Sequence, residues 1–274
     1  MRPDLGLTFG LRYDWYSTIG SSLTPRAALV YHLGSSSTLK ALYGQAFRAP
    51  NVYELFYGDP GDGSTQKPNP ALEAETARTL ELVWEQELGR HAWGRVSLYR
   101  YDVQGLIEQA LDPADGLLQF RNAGSVRALG AEVEVQGRLP GEARPHASYA
   151  YQGPRDGSDE PLSNAPAHVL AAGLSRPLAG WLTATATWRW ESGRRTLQRD
   201  ARGRVVRTDP YLVGSAYLAC RPAWGPLAPN RLTLTLGVQN LADAHYRAPG
   251  GAEHLQPSIA QPGRRWTLQA HYAH

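Results

Sequence analysis

The sequence carries a single cysteine, Cys220, so no disulfide can close within the chain and no cysteine pair is available to a metal. It has no stretch approaching the ~18–20 consecutive apolar residues that a membrane-crossing helix needs. Lysine is nearly absent beside arginine. The pI is about 9.0, yet no basic block exists: Arg, Asp and Glu are interspersed along the chain and no nucleic-acid reader motif occurs, which argues against nucleic acid as a partner. The eight histidines form no H-E-x-x-H pattern and there is no G-x-S-x-G elbow, so no enzyme, no catalytic residue and no metal or other cofactor is expected. The first residues, Met1-Arg2-Pro3-Asp4, contain no apolar core or cleavage site of a secretory signal. An exported protein would have to supply that signal elsewhere, and a truncated product is expected.

What is abundant points to β-structure. Trp and Tyr are plentiful (8 and 14) while Phe is scarce (4), and 28 Gly and 20 Pro cluster between apolar stretches as turns do. In the first segment Leu5, Leu7, Phe9, Leu11, Tyr13 and Trp15 alternate with Gly6, Thr8, Gly10, Arg12 and Asp14. Such period-2 alternation marks a strand with one apolar face, and about eleven residues is enough to cross a bilayer at a tilt. The strands of a soluble sandwich usually stop after about 5–6 residues. The pattern returns at 80–88, 129–139, 232–239 and 265–272, with weaker candidates near 23–33, 37–46, 92–104, 144–153, 166–176, 180–191 and 211–221. About twelve strands result. A mean hydropathy of -0.42 fits a membrane barrel, which places its apolar residues at every second position and so scores polar on average.

The connections alternate in length. Counted from the C-terminus, 241–262, 192–210, 154–165, 105–125 and 47–74 are long, while 222–229, 177–179, 139–143, 89–91 and 34–36 are short. Only the connection around Ser17–Ser22 is short where a long one is due. A barrel with turns on one rim and loops on the other produces this rhythm. Trp93, Trp181 and Trp224 beside the short turns, and Trp15, Tyr151 and Trp190 at the loop side, suit two interfacial girdles. The expected fold is therefore all-β, an antiparallel transmembrane β-barrel. Periodicity alone leaves open a complete twelve-stranded pore, a membrane-embedded hydrolase or a secreted carbohydrate-binding sandwich.

Six segments resemble one family. Residues 43–55 (Tyr-Gly-Gln-Ala-Phe-Arg-Ala-Pro-Asn-Val-Tyr-Glu-Leu) look like the strand-to-loop segment of TonB-dependent outer-membrane receptors, and Asn69-Pro70-Ala71-Leu72-Glu73-Ala74-Glu75 resembles their loop-to-strand return. Asn122-Ala123-Gly124 with Gly130-Ala131-Glu132-Val133-Glu134, Asn164-Ala165-Pro166-Ala167-His168, Val238-Gln239-Asn240-Leu241-Ala242-Asp243 with Tyr246, and Gln261-Pro262-Gly263-Arg264-Arg265-Trp266 follow in family order. Ala74 and Ala242 depart from the usual proline and aromatic, and the end, Tyr272-Ala273-His274, departs from the usual aromatic terminus. The resemblance implies a barrel of about 22 strands closed by an N-terminal plug. This chain, residues 1–274, would supply about twelve C-terminal strands, with the plug domain absent. It implies import of a ferric siderophore or a cobalamin-like ligand across the cell outer membrane. Outer-membrane lipid is then a partner, and the TonB complex is engaged only through the missing plug region. No transport is expected of such a part alone.

Within that frame the loop 47–74 offers Arg48, Tyr53 and Tyr57 to a large anionic chelate, through charge-assisted hydrogen bonds and stacking. The bland alternative is that Arg48 pins the loop to the wall. The loop 192–210 carries Arg194, Arg195, Arg199, Arg202, Arg204 and Arg207, a cluster able to steer anions, to hold anionic lipid or simply to be solvated. Gly58-Asp59-Pro60-Gly61-Asp62-Gly63 has neither EF-hand nor P-loop spacing and reads as a turn run. The pairs Glu132/Glu134 and Glu85/Glu87 share strand faces, as acid–base pairs can, but need no such role beside a wet lumen.

Overall fold

The computed structural model describes residues 4–59, 65–222 and 232–272. Twelve long strands form one antiparallel sheet in which each neighbours the next in chain order. They are β1 (Leu5–Tyr16), β2 (Gly20–His32), β3 (Ser37–Arg48), β4 (Glu75–Glu87), β5 (Ala92–Leu111) and β6 (Leu118–Gly137). The second six are β7 (Arg144–Gln152), β8 (His168–Ala179), β9 (Leu182–Glu191), β10 (Tyr211–Cys220), β11 (Leu232–Gln239) and β12 (Arg265–Tyr272). The only α-helix among the described residues is α1 (Val52–Phe56). Each strand expected from alternation is present, so the all-β antiparallel class stands.

Two compact units divide the chain. The first comprises Met1–Trp84, Ser97–Gly130 and Gly153–Pro161; the second comprises Glu85–Val96, Ala131–Gln152 and Leu162–His274. In the first, β1 and β2 pair in unbroken register from Leu5 opposite Tyr31 to Tyr16 opposite Gly20. In the second, β8 and β9 pair with a shift between Leu182 and Thr183, and Gln239 of β11 stands opposite Arg265 of β12.

The faces are inverted relative to a water-soluble protein. On β1, Leu7, Phe9, Leu11, Tyr13 and Trp15 are 58–69% exposed. In the second unit one face carries Leu170, Leu174, Trp188, Leu212, Leu218, Leu236, Trp266 and Leu268, all exposed. Buried apolar side chains are few among the described residues, and none of the large ones is fully buried. Leaving such side chains in water would forgo roughly 1.5–3 kcal/mol each. The pattern suits a hydrocarbon surround, with Thr, Arg, Gln and Ser on the opposite face. Aromatics collect on the apolar face near the loop-bearing strand ends: the Tyr149 hydroxyl is hydrogen-bonded to Nδ1 of His168 at 2.8 Å, and Tyr151 packs on the same imidazole.

The loops hold more order than the sequence suggests. The expected long loop 105–125 is mostly strand, because β5 and β6 are each 20 residues long and leave only a turn between Leu111 and Leu118. A tilted strand needs about 9–11 residues to cross a bilayer, so roughly half of each projects beyond it. The projecting ends are held by the loop before β4: Leu118 donates its N–H to Thr65 and accepts one from Lys67. Small hairpins, Arg195–Arg199 with Val205–Arg207 and Arg247–Pro249 with Ser258–Ala260, occupy the two long connections of the second unit. Asp62, Trp224, most of the short 222–229 connection and the terminal Ala273 and His274 lie outside the described residues.

Candidate functional site

At the end of β3 the chain must leave the sheet, and Arg48 fixes how it does so. Its Nε donates to Oε2 of Glu75 at 2.7 Å and its Nη2 to Oε1 of the same carboxylate at 2.6 Å. Nη1 reaches both oxygens of Glu54 at 3.0 Å. Glu75 opens β4 and also accepts the N–H of Ile107, so one guanidinium ties the two ends of the loop to β5. Glu54 serves a second purpose. Asn51 and Glu54 form a capping box: the Asn51 side chain accepts the Glu54 N–H at 2.9 Å and Glu54 accepts the Asn51 N–H at 2.8 Å. This starts the five-residue α1, and Leu55, 2% exposed, seats it.

Tyr53 and Tyr57 sit one turn apart and stack, with ring centroids 4.4 Å apart and planes 21° from parallel. Phe120 of β6 meets the Tyr53 ring edge-on at 5.8 Å. Val52, Tyr53, Phe56 and Tyr57 are all exposed, which makes α1 an aromatic shelf on a pinned loop. Further along, Lys67 bonds Asp112 and Asp115, and Arg121 pairs with Asp112 at 2.6 Å. Lys67, followed by the Ala114 N–H, holds the Asp112 carboxyl far below the usual carboxylate range, and Lys67 likewise lowers Asp115.

The second unit has its own cluster. Glu191, 2% exposed at the end of β9, accepts from Arg189 Nε at 2.6 Å and from Arg194 Nη2. Arg194 also reaches the Asn164 amide oxygen at 3.1 Å and the Tyr211 hydroxyl at 3.3 Å. Arg194 is thus a half-buried clamp at the base of its loop, held by neighbouring acceptors. Arg195 opens the small hairpin opposite Arg207 and is half-buried, and its carbonyl accepts the Asn164 N–H. Arg199, Arg202 and Arg204 are exposed around the hairpin tip, where Asp200 pairs with Arg204, and Arg207 is exposed at its base.

The structure therefore brings Tyr53 and Tyr57 together, with Arg48 anchoring their loop, and places Arg194 and Arg195 in a separate cluster. Glu75, Phe120, Glu191, Tyr211 and Lys67 were missed in the sequence. Glu191 had a readable signal, the Arg-x-Glu-x-x-Arg spacing of 189–194. Phe120 had none. Of the paired carboxylates, Glu134 bonds Arg95 at 3.0 Å.

The short motifs turn out to fasten strand ends. Asn69 donates to the Phe120 carbonyl, and Asn122 accepts the Glu73 N–H while donating to the carbonyls of Glu73 and Gly105. A Cβ on Gly124 would lie 2.3 Å from the Glu108 carboxylate and 2.9 Å from the Leu106 Cβ, so a larger residue would have to displace both. Asn240, 4% exposed with φ of 52°, closes on both polar groups of Ala244. Asp243 accepts the Arg264 N–H at 2.6 Å, joining the beginning of β12 to the end of β11.

Comparison with known proteins agrees with this architecture. The family model described as "TonB dependent receptor-like, beta-barrel" matches residues 2–241. The chain is 26% identical over 287 residues to the ferric enterobactin receptor of Pseudomonas aeruginosa, covering 92% of this chain and 37% of that protein. It is 33% identical over 102 residues to the vitamin B12 transporter BtuB of Vibrio cholerae, covering 37% of this chain. In fold it resembles a crystal structure of the P. aeruginosa ferric enterobactin receptor, with a TM-score of 0.81 at 23% identity, covering 99% of this chain and 43% of that one. The chain thus spans well under half the length of these relatives. With the matching strands, the inverted faces and the six motifs in order, this chain belongs to the TonB-dependent receptor family, within its β-barrel.

Proposed function

We propose that residues 1–274 form the C-terminal part of the barrel of an outer-membrane receptor that imports an anionic ferric siderophore, drawing energy from the TonB complex through a plug region encoded with it. The observation that carries this reading is the exposed Tyr53–Tyr57 stack on a loop pinned by Arg48. Rigid aromatic side chains give large contact area at small entropic cost, and stacking favours planar, aromatic chelating groups. The exposed arginines of 199–207 add a positive field that raises the local concentration of anions. Relatives named as enterobactin receptors support this class, and the vitamin B12 transporter among them marks cobalamin as the second candidate. The role is transport, not catalysis. The test is iron uptake by cells whose sole receptor contains this chain, supplied with a ferric catecholate or with cyanocobalamin. Energy-dependent iron uptake from the catecholate is expected; uptake of cobalamin alone would replace the ligand class, and uptake of neither would refute the reading.

A further inference from the structure

On the polar face of the second unit, just inside the strand ends that carry its long loops, lies a recess of about 630 Å³. That volume falls in the range of about 300–1,000 Å³ usual for small-molecule sites. Its floor is sheet and its charge is one-sided. Arg265 of β12 lines it with Arg189 of β9. Nε and Nη2 of Arg265 both rest on the amide oxygen of Gln239, at 3.2 and 2.7 Å, and Gln239 in turn reaches the Tyr217 hydroxyl at 3.4 Å. Among the described residues Arg265 has no carboxylate partner. The neighbouring carboxylate, Glu191, is shared between Arg189 and Arg194. A guanidinium oriented by a neutral amide and left without an anion is a donor set waiting for one. The remaining wall is aromatic: Tyr211 and Tyr246 face each other at 4.4 Å, with Tyr217 below.

We propose that this recess is a binding subsite for an aromatic oxyanion, a catecholate or an aryl carboxylate, with Arg265 engaging its oxygens and the tyrosines its ring. The subsite is separate from the α1 shelf, and it rests on the chain being a receptor wall. The bonds to Asp243 and Leu241 at this strand entry are made by Arg264, through its backbone N–H and its guanidinium, so they do not depend on the charge at 265.

The test uses the whole receptor in detergent, as wild type, Arg265→Gln and Arg265→Lys, with Arg90→Gln, exposed on the short turn 89–91, as control. Binding of a ferric tricatecholate and of a neutral ferric trihydroxamate is measured by equilibrium dialysis, and thermal unfolding without ligand is recorded for each. Arg265→Gln is expected to weaken the tricatecholate about tenfold. Arg265→Lys should recover part of that loss, and neither change should alter trihydroxamate binding or the unfolding temperature. Unchanged tricatecholate affinity in Arg265→Gln would overturn the subsite while leaving the transport reading standing. A lowered unfolding temperature with unchanged affinity would overturn it too, since Arg265 would then hold a carboxylate of the protein itself. A wild type that binds neither chelate would overturn both proposals.

Discussion

Arg48 and Glu75 meet in a two-pronged ion pair, Nε to Oε2 at 2.7 Å and Nη2 to Oε1 at 2.6 Å. The pair joins the last residue of β3 to the first of β4, residues separated in sequence by the whole loop. The side chains of Glu75 and Glu54 are each only 12% exposed, so both carboxylates depend on the arginine for compensation. Arg48→Ala is expected to cost about 1–3 kcal/mol. Arg48→Lys should rescue little, because an ammonium cannot match the fork. Proteolysis of the loop 49–74, faster in both variants, is the measurement.

Tyr53→Ala and Tyr57→Ala should each weaken ligand binding about three- to tenfold, the scale of a lost aromatic contact. Tyr53→Phe should retain affinity, since the proposed contact is the ring. Equilibrium binding on the whole receptor decides it. Equal losses for Phe and Ala would shift the contact to the hydroxyl.

Acid should leave the Lys67 anchor untouched over an unusual span. Asp112 and Asp115 are both held below the usual carboxylate value by Lys67, so the bound state favours their charged forms. A carboxyl lowered on folding contributes stability above its unfolded pKa of about 3.9 and loses it as pH falls toward the folded value. Protection from hydrogen exchange at 65–68 and 112–117, taken relative to the intrinsic rate at each pH, should therefore match at pH 7 and 5 and fall only below about pH 4. Lys67→Met should remove the difference between these segments and other loops.

The two faces of β1 make opposite predictions. Phe9→Arg, on the face proposed to meet lipid, should destabilise the protein in bilayers by about 2–4 kcal/mol. Thr8→Arg, one residue away on the polar face, should cost far less. Unfolding from lipid vesicles separates them, and equal costs would refute the assignment of faces.

Strands were legible wherever one face is uniformly apolar, because the surroundings force strict alternation along β1 and β11. They were illegible at 105–111 and 118–125. There Ile107, Glu108 and Gln109 sit beyond any apolar surround, and ladder hydrogen bonds with the segment around Lys67 hold the strand instead. Helix α1 had a signal, the Asn51-x-x-Glu54 capping box, but five residues are too few to show a helical period. At the site, the anchoring role of Arg48 was one of two readings open in the sequence. Arg194 was counted as a loop charge, because a list of charges does not reveal which of them pairs with the buried Glu191.

The asparagines at the strand ends separate the sheet from what hangs above it. Asn122 and Asn240 take up backbone groups of the neighbouring loop with their side chains, and Asn164 accepts from the Arg194 guanidinium. Whatever sequence hangs between such rivets can change length and chemistry without disturbing the wall beneath. One sheet can thus accept exchanged upper segments, and the cost of each trial falls on the loop alone.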